Sequence, residues 1–263
     1  MTAVDYINEL LSYEEYSFSL EEIQQRTSKS IVSLKRELSR LVEKKEVINL
    51  RKGFYLILPP RYRSLGQLPI ELYVEKFFKY LNKNYYLALY TAAKFHGASH
   101  QQIQKEYIIT SLPPGLNINK GSININFFTT ANWPANNIIQ KKADAGYYNI
   151  SSPVLTAVDL IHYQTKLGGL NRMLATLEEL TEEISRADLS ELLIWYPHRS
   201  TLQRLGFLLE EIQTDHTLTD RLFDHLKINA FYPVVLSPKK GQKAGATGNR
   251  WKVDVNLKLE SDL

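Results

Sequence analysis

The first sixty residues of the chain place apolar side chains at helical spacing. A first amphipathic helix is predicted by apolar residues at three- and four-residue steps, namely Val4, Ile7, Leu10 and Leu11. Ser19 followed three residues later by Glu22 has the form of a capping box, which predicts a short second helix that ends near Arg26. The polar residues 27–29 then indicate a turn.

The next segment predicts a third helix and a hairpin. A helix over about residues 30–44 is predicted by one apolar stripe, formed by Ile31, Leu34, Leu38 and Leu41. Two apolar strands follow at residues 47–50 and 54–58, joined by a basic turn that contains Gly53. A helix–turn–helix pair followed by a short basic hairpin, or wing, is typical of a winged-helix domain.

The same segment carries an unusual share of the positive charge. Between Arg26 and Arg63 the chain has eleven Lys or Arg residues and three Glu residues, which is a net charge of +8. The whole chain carries only +4, so the remainder is net acidic. An asymmetry of this kind indicates a surface for a polyanion.

Helix pair, wing and charge together predict DNA binding. A helix in the major groove reads base edges with its N-terminal side chains, while surrounding Lys and Arg neutralise phosphates. Eight residues off the apolar stripe or in the wing turn are predicted to contact DNA: Lys29, Ser30, Ser33, Lys35, Arg36, Arg40, Arg51 and Lys52. The alternative interpretation is a solvated basic face on a small helical domain.

The chain is predicted to be α+β and to hold two domains. Residues 59–69 contain three prolines and a glycine without helical periodicity, which is typical of a linker. We therefore expect a winged helix-turn-helix domain at residues 1–60, a linker at 61–68 and a mixed α/β domain at 69–263. In that second domain helices are predicted at 70–81, 87–95, 153–163, 170–180 and 202–212, and strands at 106–111, 125–128, 147–151 and 250–260.

Catalytic and metal-binding motifs are incomplete. His96 and His100 have the i, i+4 spacing of zinc ligands, but Gly97 stands where a metalloprotease has its general-base Glu. The segment 239–250 is rich in Gly and Lys but lacks the ending of a phosphate-binding loop, so it is interpreted as a mobile basic loop. A contact of this loop with nucleic acid or a partner is an open alternative. Three acidic residues lack the partner motif of a magnesium nuclease: Asp144, Asp159 and Asp254. We expect no catalytic residue, no metal and no cofactor.

Composition narrows the class of protein further. The chain has no cysteine, which excludes disulfides, thiolate metal sites and a cysteine nucleophile. No apolar run approaches the roughly 18 residues that a membrane-spanning helix needs. The N-terminus lacks the basic and then apolar pattern of a secretion signal. We expect a cytoplasmic protein without a membrane partner.

Several segments, in their order and spacing, resemble the AbiEi-type antitoxins of type IV toxin–antitoxin systems. The resemblance covers nearly the whole chain. It lies in RKGFYLILPPRYRSLGQLP (51–69), YYLALYTAAKFHGASHQ (85–101), SSPVLTAVDLIHY (151–163), GGL (168–170), RLGFLLE (204–210) and NRWKVDVNLKLE (249–260).

The resemblance implies a winged helix that binds inverted repeats in its own promoter and represses the operon. It also implies a second domain that counteracts a nucleotidyltransferase-like toxin without forming a stable complex with it. The motifs at His96-Gly97, 156–160 and Gly206 are interpreted as features that define the fold, with Thr156 and Asp159 orienting a neighbouring element.

Two other hypotheses remain open from the residues alone. One is a stand-alone winged-helix transcriptional regulator whose second domain senses a ligand or dimerises. The other is an enzyme, either a winged-helix nuclease or a toxin-modifying enzyme. Genomic neighbourhood separates the first from an antitoxin, and a cluster of acidic residues around a metal would favour the second.

Overall fold

Helices and β-sheets make up most of the described residues, and the fold is α+β as predicted. The structure is a computed structural model that describes residues 1–98, 104–212, 216–239 and 242–260. The chain divides into two compact units. The first unit comprises Met1–Tyr86, Gln104–Ala131 and Gln140–Asn149, and the second Leu87–Ile103, Asn132–Ile139 and Ile150–Leu263.

The first unit begins with three helices and a small antiparallel sheet. The elements in chain order are α1 (Ala3–Ser12), β1 (Ser17–Ser19), α2 (Leu20–Arg26), α3 (Ile31–Glu43), β2 (Val47–Arg51) and β3 (Phe54–Ile57). The strands lie in the order β1-β3-β2. The three helices and the hairpin were predicted; β1 was not, because three residues are too few for a visible alternation.

Side-chain caps fix where these helices begin. Ser19 and Glu22 form the predicted capping box at the start of α2, and Thr2 with Asp5 forms another at α1. Ser30 caps α3 by accepting a hydrogen bond from the backbone N–H of Ser33 at 3.3 Å. Each cap satisfies backbone donors that have no partner within the helix.

The apolar stripes are largely buried, but Leu11 is only partly buried and two further residues are exposed. Leu34, Leu38 and Leu41 are buried as the spacing of α3 predicts, but Ile31 at its first turn is 39% exposed. Val4 is 47% exposed because α1 instead turns Ala3, Tyr6, Ile7 and Leu10 inward. The core of this subdomain is completed by residues from α2 and the sheet: Phe18, Ile23, Val47, Tyr55 and Ile57.

The rest of the first unit is a helix and most of a six-stranded sheet. Its elements are a one-turn α4 (Pro60–Arg63), a 3-10 turn (Ile70–Leu72), α5 (Val74–Leu81), β4 (Tyr85–Leu87), β5 (Glu106–Ser111), β6 (Ile118–Lys120), β7 (Ile123–Thr130), β8 (Ile138–Ala143) and β9 (Gly146–Ser151). The strand order is β6-β7-β5-β4-β9-β8. β5 and β7 are parallel, and β6 and β7 form an antiparallel hairpin. β4, β6 and β8 were not predicted.

Within this unit the wing packs on α5. The ring of Phe54, in β3, lies 5.2 Å from that of Phe77 and 5.1 Å from that of Tyr80. The compact unit therefore continues through residues 61–68. The boundary between two domains at residues 61–68 stays a prediction. It states that the parts before and after this segment fold and function independently.

The second unit is mainly helical. It contains α6 (Leu89–Phe95), α7 (Pro153–His162), 3-10 turns at Gln164–Lys166 and Asn171–Met173, α8 (Leu174–Glu183), α9 (Arg186–Trp195), α10 (Arg199–Ile212) and α11 (Thr217–Lys227). β10 (Val234–Val235) and β11 (Val253–Asp254) pair in parallel. The long strand predicted at residues 250–260 is thus wrong except for two residues. Val255 is half exposed, and among the described residues no partner strand extends along it.

Candidate nucleic-acid interface

One exposed face of α3 gathers most of the predicted contacts. Ser30, Ser33, Lys35, Arg36 and Arg40 are all exposed. A shallow open groove runs along the helix, lined by Val32, Lys35, Arg36, Ser39, Arg40 and Glu43. These positions recur at steps of three and one, which is one face of a helix.

Two residues of this face were missed in the sequence. Val32 is 57% exposed and Ser39 is exposed, and both line the groove. Their spacing from Lys35 and Arg36 was a usable signal, because residues three and four apart share a helix face. An exposed valine on such a face has the chemistry to contact a thymine methyl group.

Ser30 and Lys29 have structural partners. The Ser30 hydroxyl caps α3 by accepting from the N–H of Ser33, which holds this side chain against the start of the helix. Lys29 is half-buried and its ammonium forms an ion pair with Glu37, whose other carboxylate oxygen accepts from the N–H of Ala3 at 3.3 Å. The hydrogen bond from Lys29 lowers the pKa of Glu37, which keeps this carboxylate charged. The pair offsets one positive charge and ties α1 to α3.

Both basic residues in the turn of the wing, Arg51 and Lys52, form hydrogen bonds with other parts of the first unit. Lys52 is exposed, and its carbonyl accepts a hydrogen bond from the Tyr80 hydroxyl at 3.0 Å. Gly53 adopts φ +81°, and a Cβ there would lie 2.7 Å from the Tyr80 hydroxyl oxygen. The Lys52 side chain therefore extends from a fixed turn.

Arg51 lies against the chain that leads into β6. Its guanidinium donates to the carbonyl of Leu116 and sits 5.6 Å from the ring centre of Phe127. Partial burial lowers the pKa of Arg51, whose ordinary value is so high that the side chain stays charged. Since a guanidinium has five N–H donors, donors remain for a phosphate.

The α3 residues and the wing residues thus form two groups. Lys35, Arg36 and Arg40 share the groove on α3, whereas Arg51 and Lys52 lie in the turn after β2. Lys29 is committed to an ion pair. Fewer basic residues are therefore available to contact phosphates than the sequence predicts.

Residues of the candidate metal site and of the basic loop form hydrogen bonds and ion pairs within the protein. His96 ends α6, and its Nε2 lies 2.8 Å from the carbonyl oxygen of Ser151; His100 lies outside the described residues. Among the described residues, no three His, Cys, Asp or Glu side chains come together as a metal site requires. In the loop at 239–250, where residues 240–241 are not described, Arg250 is paired with Glu210 and Asp220.

The motifs of the second unit shape its core. Thr156 is buried in α7, and its hydroxyl lies 2.7 Å from that of Ser151 and donates to the Ser152 carbonyl at 2.8 Å. Gly206 in α10 faces Trp251 so closely that a Cβ would lie 2.1 Å from its ring. The Trp251 indole donates to Glu210 at 2.5 Å. These residues join helices and the terminal segment.

The helices of the described chain are short. None of them is long and apolar enough to cross a membrane.

Comparison with known proteins gives a family for the middle of the chain. Residues 86–211 match the family described as the AbiEi antitoxin C-terminal domain. No curated protein matches the chain significantly. Among solved structures, the chain is similar to the crystal structure of the RV2827C protein from Mycobacterium tuberculosis, with a TM-score of 0.63 and 18% identity over 95% of this chain and 90% of that chain. At this identity the likeness shows the fold alone. This match identifies residues 86–211 as an AbiEi antitoxin C-terminal domain, in agreement with the resemblance found in the sequence.

Proposed function

We propose that this antitoxin binds double-stranded DNA in its own promoter, at inverted repeats, and represses its operon. The observation that carries the proposal is the exposed face of α3, where Lys35, Arg36 and Arg40 line one groove. The face belongs to the segment with a net charge of +8. A basic helix face beside a hairpin matches the way a winged helix enters the major groove.

The residues of the face divide into two roles in this proposal. Ser33 and Arg36 lie on the N-terminal half of α3, where side chains reach base edges, and Arg offers bidentate donors to guanine. Val32 adds an apolar contact to thymine. Lys35, Arg40 and Lys52 neutralise phosphates and contribute affinity without sequence preference. Ser30 and Lys29 hold α3 in place.

The second part of the proposal concerns the toxin. The family is one of antitoxins, and it is not known as an enzyme family. We assign the opposition to a nucleotidyltransferase-like toxin to the region that carries the family match, acting in the cytoplasm without catalysis and without a stable complex with the toxin. The buried Thr156 hydroxyl and the close packing of Gly206 make the core around this region tightly packed.

A separation-of-function experiment tests both parts. The double variant Lys35→Glu/Arg36→Glu is expected to lose promoter binding by fluorescence anisotropy and repression of a reporter, while it still restores growth when the neighbouring toxin gene is expressed. The matched control is Lys142→Glu/Arg186→Glu, which reverses two exposed charges outside the basic segment. Equal loss of binding in both double variants, or tight wild-type binding that does not change with salt, would refute the DNA-binding proposal.

The growth assay separates the antitoxin proposal from a stand-alone regulator. Wild-type protein that represses but never relieves toxicity from the neighbouring gene would favour a regulator whose second domain serves another purpose. Retention of the toxin on the immobilised antitoxin through extensive washing would contradict the absence of a stable complex.

A further inference from the structure

The hairpin of β6 and β7 lies beside the wing in the first unit. β6 is a neighbour of β2, the first strand of the wing. The two strands of the hairpin pair Ile118 with Ile125 and Lys120 with Ile123, which leaves a two-residue tip at Gly121 and Ser122. Gly121 takes φ +57°, as the first position of a tight hairpin turn requires. The hairpin therefore has a defined conformation next to the predicted DNA-contacting turn.

Arg51 connects this hairpin to the wing. Its guanidinium donates to the carbonyl of Leu116, two residues before β6, and lies over the Phe127 ring of β7. A further hydrogen bond holds the segment before β6 against β7, since the N–H of Phe127 donates to Asn117 Oδ1 at 3.0 Å. Lys83 adds a bond to the carbonyl of Pro113 at 2.5 Å. If α3 and the wing contact DNA, the hairpin therefore lies close to the duplex.

The charge of the hairpin region suits a polyanion. No Asp or Glu occurs between residues 107 and 130, which run from β5 to the end of β7. Asn119, Lys120 and Ser122 are exposed on the hairpin. Asn and Ser side chains donate to phosphate oxygens, and each Lys–phosphate contact releases about one counterion. A surface without carboxylates can approach the phosphate backbone without repulsion.

We propose that the β6–β7 hairpin is a second DNA-contacting element, placed beside the wing, with Lys120 and the tip at Ser122 against the phosphate backbone. This inference rests on the proposed DNA binding and extends its footprint beyond residues 1–60. Leu116, which is 80% exposed next to Arg51, forms the apolar end of the same surface. Proteins that bind the minor groove frequently insert apolar side chains between base steps, and an exposed leucine has the chemistry for such a contact.

A cleavage experiment locates the hairpin on DNA. Because the chain has no cysteine, a single Ser122→Cys change places one iron–EDTA cleavage reagent at the hairpin tip of the full-length protein. Ser39→Cys on α3 reports the major-groove helix, and Lys142→Cys on β8, the opposite edge strand, is the matched control. We expect strand cleavage of promoter DNA from Ser39 and Ser122, at adjacent positions, and none from Lys142.

Its outcomes distinguish the two proposals. Cleavage from Ser39 but not from Ser122 would overturn the hairpin contact and leave the DNA-binding proposal standing. The absence of cleavage from both, together with no promoter binding by unlabelled wild-type protein, would overturn both.

Affinity gives an independent measurement. Lys120→Ala is expected to weaken promoter binding about fivefold to tenfold at 0.1 M salt and to reduce the slope of log K against log salt by about 1, since one phosphate contact is lost. Lys142→Ala, an exposed lysine of the same sheet, is expected to change binding less than about twofold. Unchanged affinity and slope in Lys120→Ala would contradict the proposal. A second result would also contradict it. If the wild-type protein sediments as a dimer, and Leu116→Ser makes it a monomer without changing its affinity for promoter DNA, this surface joins two copies of the chain instead.

Discussion

Tyr80 of α5 donates its hydroxyl to the carbonyl of Lys52, at 3.0 Å, and so supports the turn of the wing. The contact is close enough that residue 53 has no room for a side chain. It joins two segments that are about thirty residues apart in the chain, and the ring of Phe54 packs on the same tyrosine. The conformation of a predicted DNA-binding turn is therefore set by an element outside the winged-helix sequence.

Gly53→Ala is expected to destabilise the first unit and weaken promoter binding. The new Cβ would meet the Tyr80 hydroxyl at 2.7 Å in addition to the cost of φ +81°, a total of about 1–3 kcal/mol. Gly121→Ala is the matched control, since it has φ +57° and nothing within 4 Å of its Cβ. Urea unfolding measures both. An equal loss of stability in the two variants would show that the Tyr80 contact adds nothing.

DNA binding should show a steep dependence on salt. If about five phosphates are neutralised, log K falls against log salt with a slope of about −4 to −5. Lys35→Ala and Lys52→Ala are expected to weaken binding to any sequence, whereas Ser33→Ala and Arg36→Ala also reduce discrimination of the promoter from random DNA. Anisotropy titrations on both DNAs at several salt concentrations measure these effects. A preserved specificity ratio in Arg36→Ala would remove this residue from base recognition.

Arg51→Ala has a more specific expected result than Lys52→Ala. Arg51 contacts both Leu116 and Phe127, so its loss releases the hairpin as well as a charge. Hydrogen exchange in residues 116–127 is therefore expected to rise in Arg51→Ala and to stay unchanged in Lys52→Ala. If exchange in this segment is the same in both variants, Arg51 does not hold the hairpin.

Gly206→Ala is expected to unfold the region around α10 and abolish protection from the toxin. A methyl group 2.1 Å from the Trp251 ring forces either α10 or the tryptophan to move, which costs about 1–3 kcal/mol or more. Gly248→Ala is the control, because nothing lies within 4 Å of its Cβ. Tryptophan fluorescence during denaturation, together with the growth assay, measures the effect. If Gly206→Ala is as stable as the wild-type protein, α10 and Trp251 are packed less tightly than the 2.1 Å approach indicates.

Acidification is expected to destabilise the second unit through His162. Burial, His198 stacked at 4.3 Å between ring centres, and the charges of Arg204 and Lys166 lower its pKa to about 4. The unfolded chain, with a pKa of about 6.5, then takes up a proton that the folded chain does not, so stability falls as the pH drops from about 6.5 toward 4. His162→Gln should flatten this part of the pH profile of the urea midpoint relative to the wild-type protein. Identical profiles in wild type and His162→Gln would contradict the assignment.

Local sequence determined the helices and turns of the first sixty residues. The capping box at Ser19 and Glu22, the apolar stripe of Leu34, Leu38 and Leu41, and the glycine at position 53 each specify structure within a few residues. Such signals depend on hydrogen bonds and side-chain contacts between near neighbours in the chain. For the same reason the sequence predicted Ser152 and Pro153 at the start of α7.

Tertiary structure decided what those elements contact. Val4 is exposed, although it lies on the predicted stripe, because α1 packs through Ala3, Tyr6, Ile7 and Leu10 instead. The strands β1 and β6 are each three residues long and are defined by their partners β3 and β7, since a short strand is stabilised by pairing and not by its own pattern. Arg51 is an exposed basic residue by sequence, yet it bonds a carbonyl 65 residues away. Contacts over such separations depend on how the whole chain packs, which local periodicity does not encode.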